Sequence, residues 1–119
     1  MGHTEAKVKI YESDPSKAEE LELLVDTGST YSWIPAETLE ELRVERKKTR
    51  RFETIEGKKI TRDVGEIILE CLGESATNMV VFAKDGDKPV LGVVTLELLG
   101  LEVDPTTNKL RKAEALLAI

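Results

Sequence analysis

The chain has 119 residues, 40% hydrophobic and 34% charged, which suffices for one core but not two and argues against disorder. A net charge of −6 and a pI near 4.9 argue against a general nucleic-acid binder. No apolar run approaches the ~20 residues that span a bilayer, and no apolar signal segment opens the chain. Cys71 stands alone, so an intrachain disulfide is impossible and a reducing compartment is the simpler setting. The expectation is one domain over residues 1–119, cytoplasmic, with neither nucleic acid nor membrane as a partner.

Ala6–Glu12 places Val8 and Ile10 on one face and Lys7, Lys9 and Tyr11 on the other, which predicts a half-buried strand. Ser13-Asp14-Pro15-Ser16 is a turn. Lys17–Val25 then gains Leu21, Leu23, Leu24 and Val25. That apolar run is short and ends at a Gly-containing turn, so a returning hairpin strand is preferred to a helix over Ala18–Leu24. Pro35–Leu42 predicts a short helix, with Pro at its start and Leu39 and Leu42 three apart. The stretch around Val44–Phe52, with Arg43, Arg46, Lys47, Lys48, Arg50 and Arg51, reads as a solvated strand face and loop rather than a nucleic-acid patch.

Residues 51–62 predict a hairpin turning at Glu56-Gly57, its weakly apolar tip projecting from the body. Asp63-Val64-Gly65 reads as a break. Glu66–Cys71 and Asn78–Ala83 are core strands joined by a Gly-Glu-Ser loop, and Lys84–Pro89 is a turn. Val90–Val94 reads as a further strand, followed by a helix over Thr95–Leu99 that Thr95 caps and Gly100 ends. Asp104–Asn108 is a turn. The apolar tail Ala113–Ile119 is expected to pair with its own sheet or with another chain. Strand, Gly-containing turn and short helix occur at Leu23–Leu42 and again at Val90–Gly100, which fits a mostly-β domain of two related halves.

His3 is the only histidine and Cys71 has no partner cysteine, so metal, Ser-His and Cys-His chemistries find no support. No phosphate-loop or dinucleotide glycine pattern occurs, and no cofactor is implied. Acid/base work by carboxylates remains. Most acidic residues must face solvent, but Asp26 lies between Leu23-Leu24-Val25 and Trp33-Ile34-Pro35 and is followed by Thr27, Gly28 and Ser29. Desolvating a carboxylate is costly unless it is hydrogen-bonded or shares its proton, so this placement suggests a semi-buried acid poised for catalysis. Trp33 is read as core; Tyr31 either lines the site or covers the loop.

The run Leu-Leu-Val-Asp-Thr-Gly-Ser-Thr-Tyr-Ser-Trp-Ile-Pro resembles the active-site segment of aspartic proteases, closest to its pepsin-like form, while the chain length resembles the single-domain, retropepsin-like proteases. That resemblance implies a closed, barrel-like acid-protease fold with one or two short helices. It makes Asp26 catalytic and Thr27, Gly28, Ser29 and Thr30 the active-site and substrate-binding loop. Thr27 would cross-brace two such loops, Gly28 admit a peptide backbone, and Ser29 hydrogen-bond the outer carboxylate oxygen. Thr54, Ile55, Glu56, Gly57 and Lys58 stand at the flap tip, Leu91 and Gly92 in the loop that supports the catalytic one, and Ala113–Ile119 at the strand that pairs across a dimer.

A dimer also follows from chemistry, because hydrolysis needs one carboxyl to accept a proton while another donates one, and only one Asp-Thr-Gly occurs here. A homodimer would bring two Asp26 residues to its twofold axis, with a peptide bound as an extended strand and no metal. Many retroviral members pair an Asp and an Arg where this chain has Thr30 and Val93, and the flap here is charged at Glu56 and Lys58. One alternative is therefore a peptide-binding module of the same fold with little or no turnover. A second is a structural β-domain in which Asp26 merely caps the following helix.

Overall fold

The computed structural model describes residues 3–115. Alternation in the first segment gives the strand it predicts. β1 (Glu5–Tyr11) buries Ala6, Val8 and Ile10, and a turn follows in which Asp14 Oδ1 accepts the Ser16 N–H at 2.9 Å. The chain returns as β2 (Glu19–Val25), antiparallel to β1 with Val8 opposite Leu21, so the hairpin wins over the helix. β3 (Ser32–Pro35) runs directly into α1 (Ala36–Glu41), which buries Leu39. Pro35 sits at the boundary, where its missing N–H costs no helical hydrogen bond.

The basic stretch becomes β4 (Lys48–Glu53), a largely exposed strand that pairs with β5 (Lys59–Cys71), and β6 (Glu74–Ala83) returns along β5. After the Lys84–Pro89 turn come β7 (Val90–Leu91), α2 (Val93–Leu99), β8 (Leu101–Asp104) and β9 (Lys109–Lys112). The strand order in the main sheet is β1-β2-β7-β3-β6-β5-β4, and β1 also pairs with β5 through Ile10 and Leu69. The fold is thus mostly β, a ring of six strands with two short helices, from which β4 hangs as the outer arm of a hairpin. Ile10, Ile34, Leu39, Ile67, Leu69, Val80, Phe82 and Leu91 form its core, each burial of this kind contributing about 1.5–3 kcal/mol. β2 and β7, the strands that open the two similarly patterned segments, lie parallel and adjacent, with Val25 opposite Leu91.

Four expectations are corrected. Asp63-Val64-Gly65 is no break, because β5 runs unbroken through it. Gly65 is required there by a crossing chain: a Cβ would stand 2.5 Å from the Glu45 carbonyl oxygen. Leu72-Gly73, both at positive φ, make the β5–β6 turn, and Glu74 and Ser75 belong to β6 rather than to a loop. Val93 and Val94 are helical rather than extended, since β7 ends at Leu91 and α2 already begins at Val93. In the tail, Ala113–Ala115 are not strand, although the Ala113 N–H donates to the Gly100 carbonyl at 2.8 Å. The remaining tail, 116–119, lies outside the described residues, and with it the expected pairing.

Candidate active site

β2 delivers Asp26 to the edge of the ring and β7 fixes it there. The Asp26 N–H donates to the Leu91 carbonyl at 2.9 Å, and the Val25 N–H to the Thr4 carbonyl at 2.8 Å. Beyond this point the chain turns on itself: Asp26 Oδ1 accepts the Gly28 N–H at 2.9 Å, and the Ser29 N–H donates to the Asp26 carbonyl at 3.0 Å. Asp26 therefore closes its own turn and does not cap a helix, since α1 starts ten residues later, at Ala36. The expected semi-burial is not found within one chain. Asp26, Thr27, Gly28 and Thr30 are exposed and Ser29 is half-buried, because Leu24 and Val25 before them are themselves only partly covered. The Ser29 hydroxyl also departs from its implied role. It donates to the Tyr31 carbonyl at 2.8 Å, while Asp26 Oδ1 accepts from the Gly28 backbone.

Below the loop, Leu91-Gly92 and the start of α2 form a floor. The first helical N–H groups, which have no partner within a helix, donate instead to the loop above: Val93 to the Ser29 carbonyl at 2.8 Å and Val94 to the Thr30 carbonyl at 3.0 Å. Gly92 must be glycine, because a Cβ would lie 2.4 Å from the Tyr31 carbonyl oxygen and 2.9 Å from that of Ser29. Its N–H donates to Ser32 Oγ at 2.9 Å, and Ser32 Oγ lies 2.6 Å from Thr95 Oγ1, both side chains being buried. Thr95 thus joins floor to loop and is not the cap of α2, whose first boundary residue is Gly92. Sequence reading missed Ser32 and the role of Thr95; the signal for Ser32 was a small hydroxyl alternating into the core ahead of Ile34.

Above the loop, β4 and β5 project as a hairpin whose tip runs from Thr54 to Lys58, closed by Thr54 N–H to Lys58 O at 2.8 Å and Gly57 N–H to Thr54 O at 2.9 Å. Ile55 at the tip is wholly exposed. Between tip and loop is a cleft of about 380 Å³, lined by Asp26, Gly28, Ser29, Trp33, Thr54 and Ile55 among others. Glu56, Gly57 and Lys58 are not among its lining residues, nor are Thr27 and Thr30. Trp33 is not core: it is half-buried, stands edge-on to Phe52 at 5.2 Å and lines the cleft. Tyr31 likewise lines the cleft's continuation rather than only covering the loop.

Ion pairs tie the hairpin down at its root, and Phe52 rests against Trp33 nearer the tip. Arg62 forms a two-pronged pair with Asp87, Nε to Oδ2 at 2.6 Å and Nη2 to Oδ1 at 2.8 Å. On the other side, Arg46 joins Asp63 at 2.8 Å and also Glu40, while Thr49 Oγ1 donates to Asp63 Oδ1 at 2.8 Å. Hydrogen bonds from Arg62 hold the Asp87 carboxyl below the usual carboxylate range, against the opposing effect of burial. Asp63 is lowered chiefly by the Thr49 hydroxyl and then by Arg46.

A family model described as aspartyl protease matches residues 6–103. The chain belongs to the aspartyl protease family. No curated protein matches it. Family membership gives proteolysis as the class of activity, and the matched span holds the Asp26 turn, the hairpin and the Gly92 floor. Among the described residues, no group of three or more His, Cys, Asp or Glu side chains could hold a metal ion. No helix among them is long and apolar enough to cross a membrane.

Proposed function

We propose that the protein is an aspartic endopeptidase, active as a homodimer whose single site pairs the Asp26 carboxyls of two protomers. Asp26 carries this reading: its carboxylate lies open on a cleft under a projecting hairpin, while its backbone is held by Leu91 and its Oδ1 by Gly28. An acid anchored so firmly yet left exposed in one chain suits a partner that completes its surroundings. Two carboxyls brought together this way share one proton, because both cannot ionise at close range.

In the proposed reaction the ionised carboxyl takes a proton from water, whose oxygen adds to the peptide carbonyl carbon. The protonated carboxyl donates its proton to the carbonyl oxygen. The diol then collapses: the carboxyl that took the water proton passes it to the amide nitrogen, the C–N bond breaks, and the other carboxylate takes a proton from a diol hydroxyl, giving a carboxylic acid and an amine. Gly28 and Ser29 would take the peptide backbone from below, Thr54 and Ile55 from above, with Glu56, Gly57 and Lys58 meeting it or the partner on closure. Thr27 and Thr30 would brace the loop, and Leu91 and Gly92 would hold it in place.

The test is cleavage of a denatured protein substrate at acidic to neutral pH, with the oligomeric mass measured alongside. Asp26→Asn should abolish cleavage while leaving the fold and the dimer intact. A stable wild-type dimer that binds peptide without cutting it would favour the inactive peptide-binding module instead.

A further inference from the structure

The cleft continues past the compartment that holds Asp26. A second compartment of about 400 Å³ adjoins the first, and the two share Gly28, Ser29, Trp33 and Glu53 in their walls. Its outer wall is β4. There the Arg50 guanidinium lies 5.7 Å over the Tyr31 ring, with Nη1 3.3 Å from the Tyr31 hydroxyl. Phe52, also in its lining, stands edge-on to both Tyr31, at 6.2 Å, and Trp33, so the three rings form one connected wall. Arg51 lines the same space. Arg46, Arg62 and Arg111 each have an acidic partner, whereas Arg50 and Arg51 have no ion-pair partner among the described residues. Glu53 offsets one of these two charges, leaving the compartment net positive in a chain whose net charge is −6.

Resting on the peptidase reading above, we infer that this compartment selects an acidic side chain, glutamate or aspartate, of the bound peptide, and that Arg50 is the residue that recognises it. The Tyr31 ring holds the guanidinium without neutralising it, so its forked N–H groups remain available to a carboxylate. The Tyr31, Trp33 and Phe52 rings offer apolar surface to the methylene stem. With glycine and serine on one side and aromatic rings on the other, charge is the main discriminator. Arg50 is exposed, so solvent screens the contact and the selectivity is moderate, about tenfold, or about 1.4 kcal/mol.

The experiment uses peptide pairs that differ only by Glu against Gln at successive positions around the cleaved bond, and compares kcat/KM within each pair. One position should favour Glu by about tenfold. Arg50→Gln should bring that ratio close to one, and Arg50→Glu should turn the preference towards Lys at the same position. A wild-type ratio near one at every position, or a ratio that Arg50→Gln leaves intact, overturns the inference. Binding of the same pairs to the Asp26→Asn protein, followed through the chain's single tryptophan, Trp33, reads the compartment without turnover. Preference for the Glu peptide that disappears with Arg50→Gln supports the inference even if no peptide is cut, an outcome that would sink the peptidase reading alone. Equal binding of both peptides overturns it.

Discussion

The two walls of the cleft are built on opposite principles. The floor, from Asp26 through Thr30 on Leu91, Gly92 and α2, is held by backbone hydrogen bonds and buried hydroxyls, with no room for even one extra methyl group at Gly92. The roof, the β4–β5 hairpin, has a wholly exposed Ile55 at its tip, ion pairs at its root, and side-chain contacts from Arg50 and Phe52 to Tyr31 and Trp33 between them. Such a division suits the proposed peptidase, whose acid must not move and whose cover must. A hairpin with exposed backbone hydrogen bonds and few buried apolar groups opens at low cost, while a close-packed floor does not deform gradually.

Three substitutions break or sharpen that contrast. Gly92→Ala drives a carbon to within 2.4 Å of a backbone oxygen, so it should cost about 3 kcal/mol or more and displace the Asp26 loop. Chemical denaturation measures the loss, and a stable, fully active Gly92→Ala protein would contradict the rigid floor. Ser32→Ala leaves the Gly92 N–H and Thr95 Oγ1 without their buried partner, an expected cost of about 1–3 kcal/mol. Its thermal midpoint should fall while the dimer, if formed, persists.

Arg62→Gln should have the smallest effect on global stability, about 1 kcal/mol, because the Lys84 N–H still donates to Asp87 Oδ2 at 2.8 Å. Its mark should be local, as faster amide exchange across β4 and the first half of β5 but not across β7 and α2. The pair is mostly buried, with side chains 14% and 13% exposed, so solvent does not screen it away. The Asp87 carboxyl is lowered in the folded protein, so its stabilising effect is fully present above the ordinary carboxylate value. It is lost as pH falls through the folded-state value. Protection of the hairpin amides, taken relative to the intrinsic exchange rate at each pH, should therefore fall in acid in the wild type, and Arg62→Gln should flatten that pH dependence. Unchanged protection in both would mean that the roof is held by something other than its root.

Most of the sheet could be read from the sequence because its signals are local. Alternation at Val8 and Ile10, the short apolar run ending at Val25, and Gly57 between β-branched residues each specify an element without reference to the rest of the chain. The Asp26 segment was conspicuous for the same reason. What escaped depends on neighbours distant in sequence. Gly65 looks like a break until the Glu45 carbonyl is seen crossing it, and Val93 looks extended until Ser29 and Thr30 are seen accepting the first N–H groups of α2. Trp33 looks like core until Phe52 arrives from the hairpin and leaves one face on the cleft. The exposure of Asp26 was missed because its apolar flanks suggested cover that a single chain does not supply.

The central claim, one site built from two copies of Asp26, has a direct test in mixed dimers. Wild-type and Asp26→Asn chains are denatured together in equal amounts, refolded, and assayed at fixed total protein. If each site needs both carboxyls, only dimers of two wild-type chains cut, and activity should fall to about a quarter of the all-wild-type value. Activity of about one half would mean that each protomer works alone and would contradict the account.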